Sequence, residues 1–388
     1  MANSAALLRR MKWPILTTYY LMFAILVFLW GVTHPKYNLD MIAYAASALE
    51  LSSDDASAIH TNVYTGLREH VDEERYVELI DPDYHYRHGI ATDADLFMQQ
   101  LPFYKPRLIF NGAVFLLSKA GLNIFFATHL ISAFFAAAAV VMLFLIVRQC
   151  LPPGLAMLVP FFAVIYELQE LATLSTPDTL ALFIVCATVL SVLRENNWVL
   201  LLLPVSVLVR TDLVIWSSLI ILFLLWSRQL DKRYVLTSAA LTLVTYVFIN
   251  LWAGNYGWQT LFYFTFINKV ADPATLVSPL TVQQYWWALS NGLRDALMDK
   301  GLLLFLAMIV LSFRVFRHLN LDSLVRSPDE QKRLFVIVLP LIYVLVHFVL
   351  YPVLWARFFS AFYLIAAIGF LWTFSAGERQ LKSNKEPV

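Results

Sequence analysis

Residues 13–50 read WPILTTYYLMFAILVFLWGVTHPKYNLDMIAYAASALE. Trp13 to Val32 is an uncharged, largely apolar run of the length that crosses a bilayer, about 20 residues of helix. Arg9, Arg10 and Lys12 precede it. A signal peptide would also begin this way. The run is too long for an h-region, however, and no A-x-A cleavage pattern follows, so it reads as a retained helix. Directly after it comes His34 to Glu50, where Asp40 stands close to the expected lipid boundary.

The rest of the chain agrees with this start. Of 388 residues, 60% are hydrophobic and 14% charged, against about 25% charged in soluble domains. So few polar side chains cannot cover so apolar a chain in water. A net charge of +1 gives no basis for nucleic-acid binding. Cys150 and Cys186 both fall in or beside apolar segments, and no disulfide is expected between them.

Candidate spans lie at 13–33, 124–147, 154–172, 179–193, 198–211, 213–227, 234–252, 301–316, 334–350 and 359–375. The positive-inside rule orients them. Arg9, Arg10 and Lys12 put the N-terminus in the cytoplasm. Arg148, Arg194, Arg228, Lys232, Arg233, Arg314, Arg317, Lys332, Arg333, Arg379, Lys382 and Lys385 then fall on the same side. The expectation is an all-α polytopic membrane protein: a single transmembrane domain over 1–388 with about ten spans and both termini cytoplasmic. Two long connections, 34–122 and 253–300, are expected outside, and neither has the pattern of a separate globular domain. Within the first, 106–120 is apolar but gives only about 22 Å of helix, short of a core of about 30 Å. Arg107, Asn111 and Ser118 share one stripe of it, which suits an amphipathic helix lying in the interface.

Several polar residues stand out, each with two readings. Asp40, flanked by Tyr37 and Tyr44, could cap the helix that follows it or serve as a base at the bilayer surface. Lys105-Pro106-Arg107 places two cations around a helix-starting proline. Such a site suits a lipid phosphate, and the alternative is snorkelling cations. Asp178 opens the 179–193 span as a cap or a site acid. With Glu167 and Glu170 it puts three acids at one outer boundary, which implies a hydrated cavity. Arg210 and Asp212 could neutralise each other or mark a functional cavity. Arg357, beside Trp355 and Phe358, would face the same side as Asp40, or be another interfacial arginine beside Trp355. The run Asp81 to His88 has metal-ligand residue types but no zinc spacing. It reads as a hydrated acidic loop, with a divalent cation as the minority alternative. His129 and His347 lie inside expected spans and read as packing residues.

The order of these features resembles the GT-C superfamily of integral-membrane glycosyltransferases, which includes protein O-mannosyltransferases and lipid A aminoarabinose transferases. The resembling features are an early acid after the first helix (Asp40), a Lys105-Pro106 segment, a later outer acid in Thr176-Pro177-Asp178, and Arg357-Phe358 opening the last span. The chain departs from the family in having Asp40-Met41 where many members have Asp-Glu, and in lacking the appended soluble domain many members carry. The resemblance implies a polyprenyl-phosphate sugar donor, a glycan, lipid or protein acceptor, and a site on the periplasmic or lumenal face. It implies Asp40 as general base, with Asp178 orienting the acceptor or sharing that role. Lys105, Arg107 and Arg357 would be phosphate ligands, and Tyr37, Tyr44, Glu167, Glu170, Arg210 and Asp212 would line the cavity. No cofactor or metal is expected to be required. A bacterial inner membrane is the expected location. The competing functions are a flippase of lipid-linked sugars, which should show repeated halves that the sequence lacks, and a polymerase or ligase using diphosphate-linked glycans.

Overall fold

The computed structural model describes residues 2–276, 280–316 and 327–383, with side-chain surroundings over 12–276, 280–314 and 327–375. Arg317 and Lys385 lie outside the described residues, as do the side chains of Arg9, Arg10, Arg379 and Lys382. Every regular element among the described residues is helical. The one β-type pairing there is an isolated parallel bridge between Lys36 and Leu174.

In chain order the first helices are α1 (Ala2–Thr33), α2 (Leu39–Leu49), α3 (Ala56–His70), α4 (Glu73–Ile80), α5 (His85–Thr92), α6 (Ala94–Met98) and α7 (Leu108–Lys119). Then come α8 (Ile124–Cys150), α9 (Pro153–Ala156), α10 (Val159–Ile165), α11 (Leu168–Thr173), α12 (Asp178–Leu193), α13 (Trp198–Val209), α14 (Leu213–Ser227) and α15 (Lys232–Trp252). The second long connection contains α16 (Trp258–Phe266) and α17 (Val282–Ala296), and α18 (Lys300–Phe316) follows. Two long helices, Pro328–Leu350 and Ala356–Ser383, close the fold.

Among the described residues, five helices are long and apolar enough to cross a membrane: Lys12–Thr33 within α1, α8, α15, Pro328–Leu350 and Ala356–Ser375. The chain is an α-helical integral membrane protein. The bent pair α17–α18, angled by 77°, makes a sixth crossing if counted as one span. The other apolar segments are shorter than expected. The α13 helix gives about 18 Å and α14 about 22 Å at 1.5 Å per residue. The 154–172 span is not one helix but three, α9 to α11. Pro160 sits in the first turn of α10, where its missing N–H stops a helix running in from α9. Glu167 then adopts the left-handed conformation (φ 63°) and separates α10 from α11.

Close backbone approach holds the bundle together. A Cβ on Gly31 would lie 2.8 Å from Ala133 Cβ and 2.9 Å from the Ala172 carbonyl, where α1, α8 and α11 meet. A Cβ on Gly369 would lie 2.7 Å from Ile337 Cγ1, which joins the last two helices. Polar residues add fixed points. The Tyr20 hydroxyl donates to the Ala156 carbonyl (2.7 Å), and Trp216 Nε1 donates to Thr188 Oγ1 (3.0 Å). Cys150 and Cys186 are separate buried thiols.

The two long connections build a second apolar core between them, which the sequence reading did not expect. Met41, Ile42, Ile59, Val63, Leu67 and Phe97 from the first connection pack with Phe264 and Ala271 from the second. The Phe103 ring lies 4.9 Å from that of Phe264 and 5.3 Å from that of Tyr256. Gln100 Nε2 donates to the Ala271 carbonyl (2.7 Å), and the Tyr256 hydroxyl donates to the Gln99 carbonyl (3.0 Å). The helix over 106–120 is α7, which packs on α2 and α8. Asn111 is buried in it rather than facing water.

Candidate active site

Asp40 lies where the first connection meets the start of the last helix. Asn38, not Asp40, caps α2, accepting from the Met41 N–H at 2.9 Å. The capping alternative for Asp40 is therefore already taken by its neighbour, and the carboxylate is free to point elsewhere. Arg357 Nη1 donates to Asp40 Oδ2 at 2.6 Å, and the Tyr104 hydroxyl donates to Oδ1 at 2.9 Å. The Asp40 and Arg357 side chains keep 26% and 24% of their surface exposed. The pair is thus set into the fold but open on one side. Burial pushes the Asp40 carboxyl upward, but the Arg357 charge, the hydrogen bonds from Arg357 and Tyr104, and the charge of Lys269 outweigh it. The net direction is down, and the carboxylate stays ionised. Burial raises the Tyr104 hydroxyl well above the ordinary tyrosine value and the Asp40 charge raises it further, so Tyr104 remains a donor.

Tyr44 lies buried beneath this pair, its ring edge-on to Tyr104 (5.1 Å) and Phe110 (5.1 Å). Its hydroxyl feels Arg107, Asp40, Asp178 and Arg357 together. Tyr37 turns away from Asp40: its ring meets His70 at 5.5 Å, and its carbonyl accepts from Arg75 Nη2 at 2.8 Å.

A second charged cluster lies deeper. Arg210 Nη1 donates to Asp178 Oδ1 at 2.5 Å, while Nε and Nη2 grip Asp212 at 3.0 and 2.8 Å. The Thr176 hydroxyl donates to Asp178 Oδ2 (2.6 Å), and the Tyr343 hydroxyl donates to Asp212 Oδ2 (3.0 Å). His347 Nε2 lies 3.4 Å from the same oxygen. Asp178 follows the cap residue Pro177, and its carboxylate is spent on Arg210 and Thr176 rather than on the helix N-terminus. The two clusters touch: Arg210 Nη1 also reaches the Arg357 carbonyl (3.3 Å), and the Arg210 guanidinium lies 4.6 Å from the centre of the Phe358 ring. A cavity lined by Asp178, Arg210, Tyr343, Arg357 and Phe358 lies between them.

Other expected site residues are placed differently. Glu167 is exposed at the α10–α11 break, Glu170 pairs with Lys36, and only Asp178 joins the charged network. The three acids have three separate environments, not one shared cavity. Pro106 does not start a helix: Arg107 is the cap residue of α7, and Leu108 is its first residue. Asn111 Nδ2 holds the preceding turn through the Tyr104 and Lys105 carbonyls (3.2 and 3.4 Å). The Lys105 ammonium is paired with Glu50. Arg107 donates to the Phe103 carbonyl, and its Nε is buried without a partner.

Five contributors were missed in the sequence. The Tyr104 hydroxyl sits one residue before Lys105 but was read only as context. Glu50 ends the quoted stretch and neutralises Lys105. Tyr343 and His347 converge on Asp212 from a span read as packing. Lys269 is the sole cation between residues 253 and 293, a signal that would have singled it out. Among the described residues no group of three or more His, Cys, Asp or Glu could hold a metal ion. Comparison with protein-family models, with curated proteins and with solved structures gave no match.

Proposed function

We propose that this chain is a membrane glycosyltransferase that moves a sugar from a polyprenyl-phosphate donor to an acceptor hydroxyl. The observation that carries this reading is the half-open Asp40 carboxylate, held on one oxygen by Tyr104 and on the other by Arg357. Such an arrangement offers a base and a phosphate ligand within one hydrogen bond of each other. A phosphate entering the site draws Arg357 toward its own oxygens. Asp40 then loses the partner that depresses its basicity and keeps only the Tyr104 bond. The freed carboxylate accepts the proton of the acceptor hydroxyl. The acceptor oxygen attacks the anomeric carbon, and the bond from that carbon to the phosphate oxygen breaks, with inversion. The phosphate leaves with the electron pair and needs no proton. Arg357, with Lys105 and Arg107 near the same turn, binds the donor phosphate. Asp178 acts through Arg210, whose contact with the Arg357 carbonyl fixes the start of the last helix.

The same reading takes the fold as GT-C-like, with about ten crossings, cytoplasmic termini, both long connections external and a bacterial inner membrane as its host. It requires no metal in the transfer step. The test is donor consumption in proteoliposomes supplied with a panel of polyprenyl-phosphate sugars. Wild type should release polyprenyl phosphate from one of them, and Asp40→Asn should not. Equal release by both would remove Asp40 from the chemistry.

A further inference from the structure

The charges around Asp40 do not balance evenly. Asp40 and Arg357 neutralise each other, and Lys105 is neutralised by Glu50. Two cations remain. Arg107 is bonded to a carbonyl, and Lys269 rests on rings, its ammonium 4.7 Å from the centre of Tyr86 and 5.8 Å from that of Phe264. Among the described residues neither has a carboxylate within ion-pairing distance. Lys269 is exposed, yet its placement is fixed. Gln100 anchors the segment through the Ala271 carbonyl two residues on (2.7 Å), and Phe264 clamps the preceding helix against Phe103 (4.9 Å). Tyr86, beneath the ammonium, lines the same small cavity as Tyr104, the residue that holds Asp40.

This surplus matches the chemistry of the leaving group. A sugar joined to a polyprenyl phosphate is a phosphodiester with one negative charge. Breaking the glycosyl bond yields a phosphate monoester that carries a second negative charge above a pKa of about 6. Resting on the reading of Asp40 as a transferase base, we propose that Lys269 is a leaving-group cation: with Arg107 it takes up the second negative charge that appears on the polyprenyl phosphate as the glycosyl bond breaks. Arg357 serves the charge present throughout, and Lys269 the charge that is new. The site thereby favours the product-like phosphate over the donor.

Electrostatics agree. Partial desolvation against the rings lowers the Lys269 ammonium below the ordinary lysine value. Asp40 acts the other way, and Arg87 and Arg357 lower it again. A cation in such surroundings gains most when a dianion arrives.

The experiment measures binding of undecaprenyl monophosphate to the purified full chain in nanodiscs, with phosphatidylglycerol as the control lipid, at pH 5 and pH 8. Wild type should bind the monophosphate more tightly at pH 8. Lys269→Gln should lose about tenfold in affinity there and much less at pH 5, and Lys269→Arg should restore it. A structural role for Lys269 would not produce that pH difference. Arg357→Gln, checked for an unchanged melting temperature, should weaken binding at both pH values. If wild type binds the monophosphate no better than phosphatidylglycerol, the transferase reading falls and this inference with it. If wild type and Arg357→Gln behave as stated but Lys269→Gln binds like wild type at pH 8, the transferase reading stands and the role of Lys269 is overturned.

Discussion

The outer and inner charged clusters are built from the same parts. Each pairs arginine with aspartate, and in each a tyrosine hydroxyl donates to an aspartate. They differ in what is left over. The Arg210–Asp178 pair is 6% and 5% exposed, Asp212 keeps 25% of its side chain exposed, and both carboxylates of that cluster accept from two or more partners. In the outer cluster the Asp40–Arg357 pair is about a quarter exposed, and each Asp40 oxygen has a single partner. In the proposed reading the inner cluster holds helices in register, because its carboxylates are already committed to partners. An open cluster can exchange partners. On the proposed function, hydrogen-bond saturation rather than residue type separates the scaffold cluster from the reacting one.

The sharpest way to break that distinction is to truncate the inner arginine. Among the described residues, Arg210→Ala takes the only ion-paired cation from the buried Asp178 and leaves Asp212 with Tyr343 and His347 alone, a loss of roughly 3–5 kcal/mol. Thermal melting in detergent should show a strongly destabilised protein, with activity lost along with the fold. A melting point near that of wild type would mean the inner cluster is hydrated and open after all. The outer counterpart is Asp40→Asn, which should cost about 10²–10⁴-fold in transfer rate while the melting temperature falls far less than for Arg210→Ala. A large drop in melting temperature would make the outer cluster structural too.

A smaller effect separates the two tyrosines. The Tyr104 bond lowers the Asp40 carboxyl, so Tyr104→Phe should raise it. With the ionised form as the base, the acidic limb of the pH–rate profile should then move to higher pH. In wild type the limb of the kcat/KM profile, which reports the free enzyme, should lie below the ordinary aspartate value of about 3.9. The matching effect on stability has the same sign. The contribution of Asp40 is present above its unfolded pKa and is lost as pH falls through the lower folded one. The smallest effect belongs to Lys36→Ala. Its pair with Glu170 is 57% and 37% exposed, so the change should cost under about 1 kcal/mol, measured by the same melting assay.

The sequence made parts of this legible because they are continuous. The α1 and α8 segments and the two closing helices are long apolar runs, and Asp40 and Arg357 stood out as charges at their ends. What it could not show depends on residues far apart in the chain. The Asp40–Arg357 pair joins positions separated by 317 residues. The shared core of the two connections needs Phe264 and Ala271 beside Met41, and no local periodicity encodes that meeting. The 154–172 segment misled for the opposite reason. Its composition suits a span, and Pro160 with the left-handed Glu167 divides it. The Lys105–Glu50 pair was hidden by separation too, since Glu50 stands at the end of α2 and Lys105 in a turn far along the chain.

The central claim is that the outer cluster handles a polyprenyl-phosphate sugar. It is tested most directly by mass spectrometry of the lipids that co-purify with Asp40→Asn, which lacks the base but keeps Arg357. The account predicts an intact polyprenyl monophosphate carrying one sugar, retained by Asp40→Asn and absent from Arg357→Gln. A diphosphate-linked oligosaccharide, or bulk phospholipid alone in both variants, would contradict it.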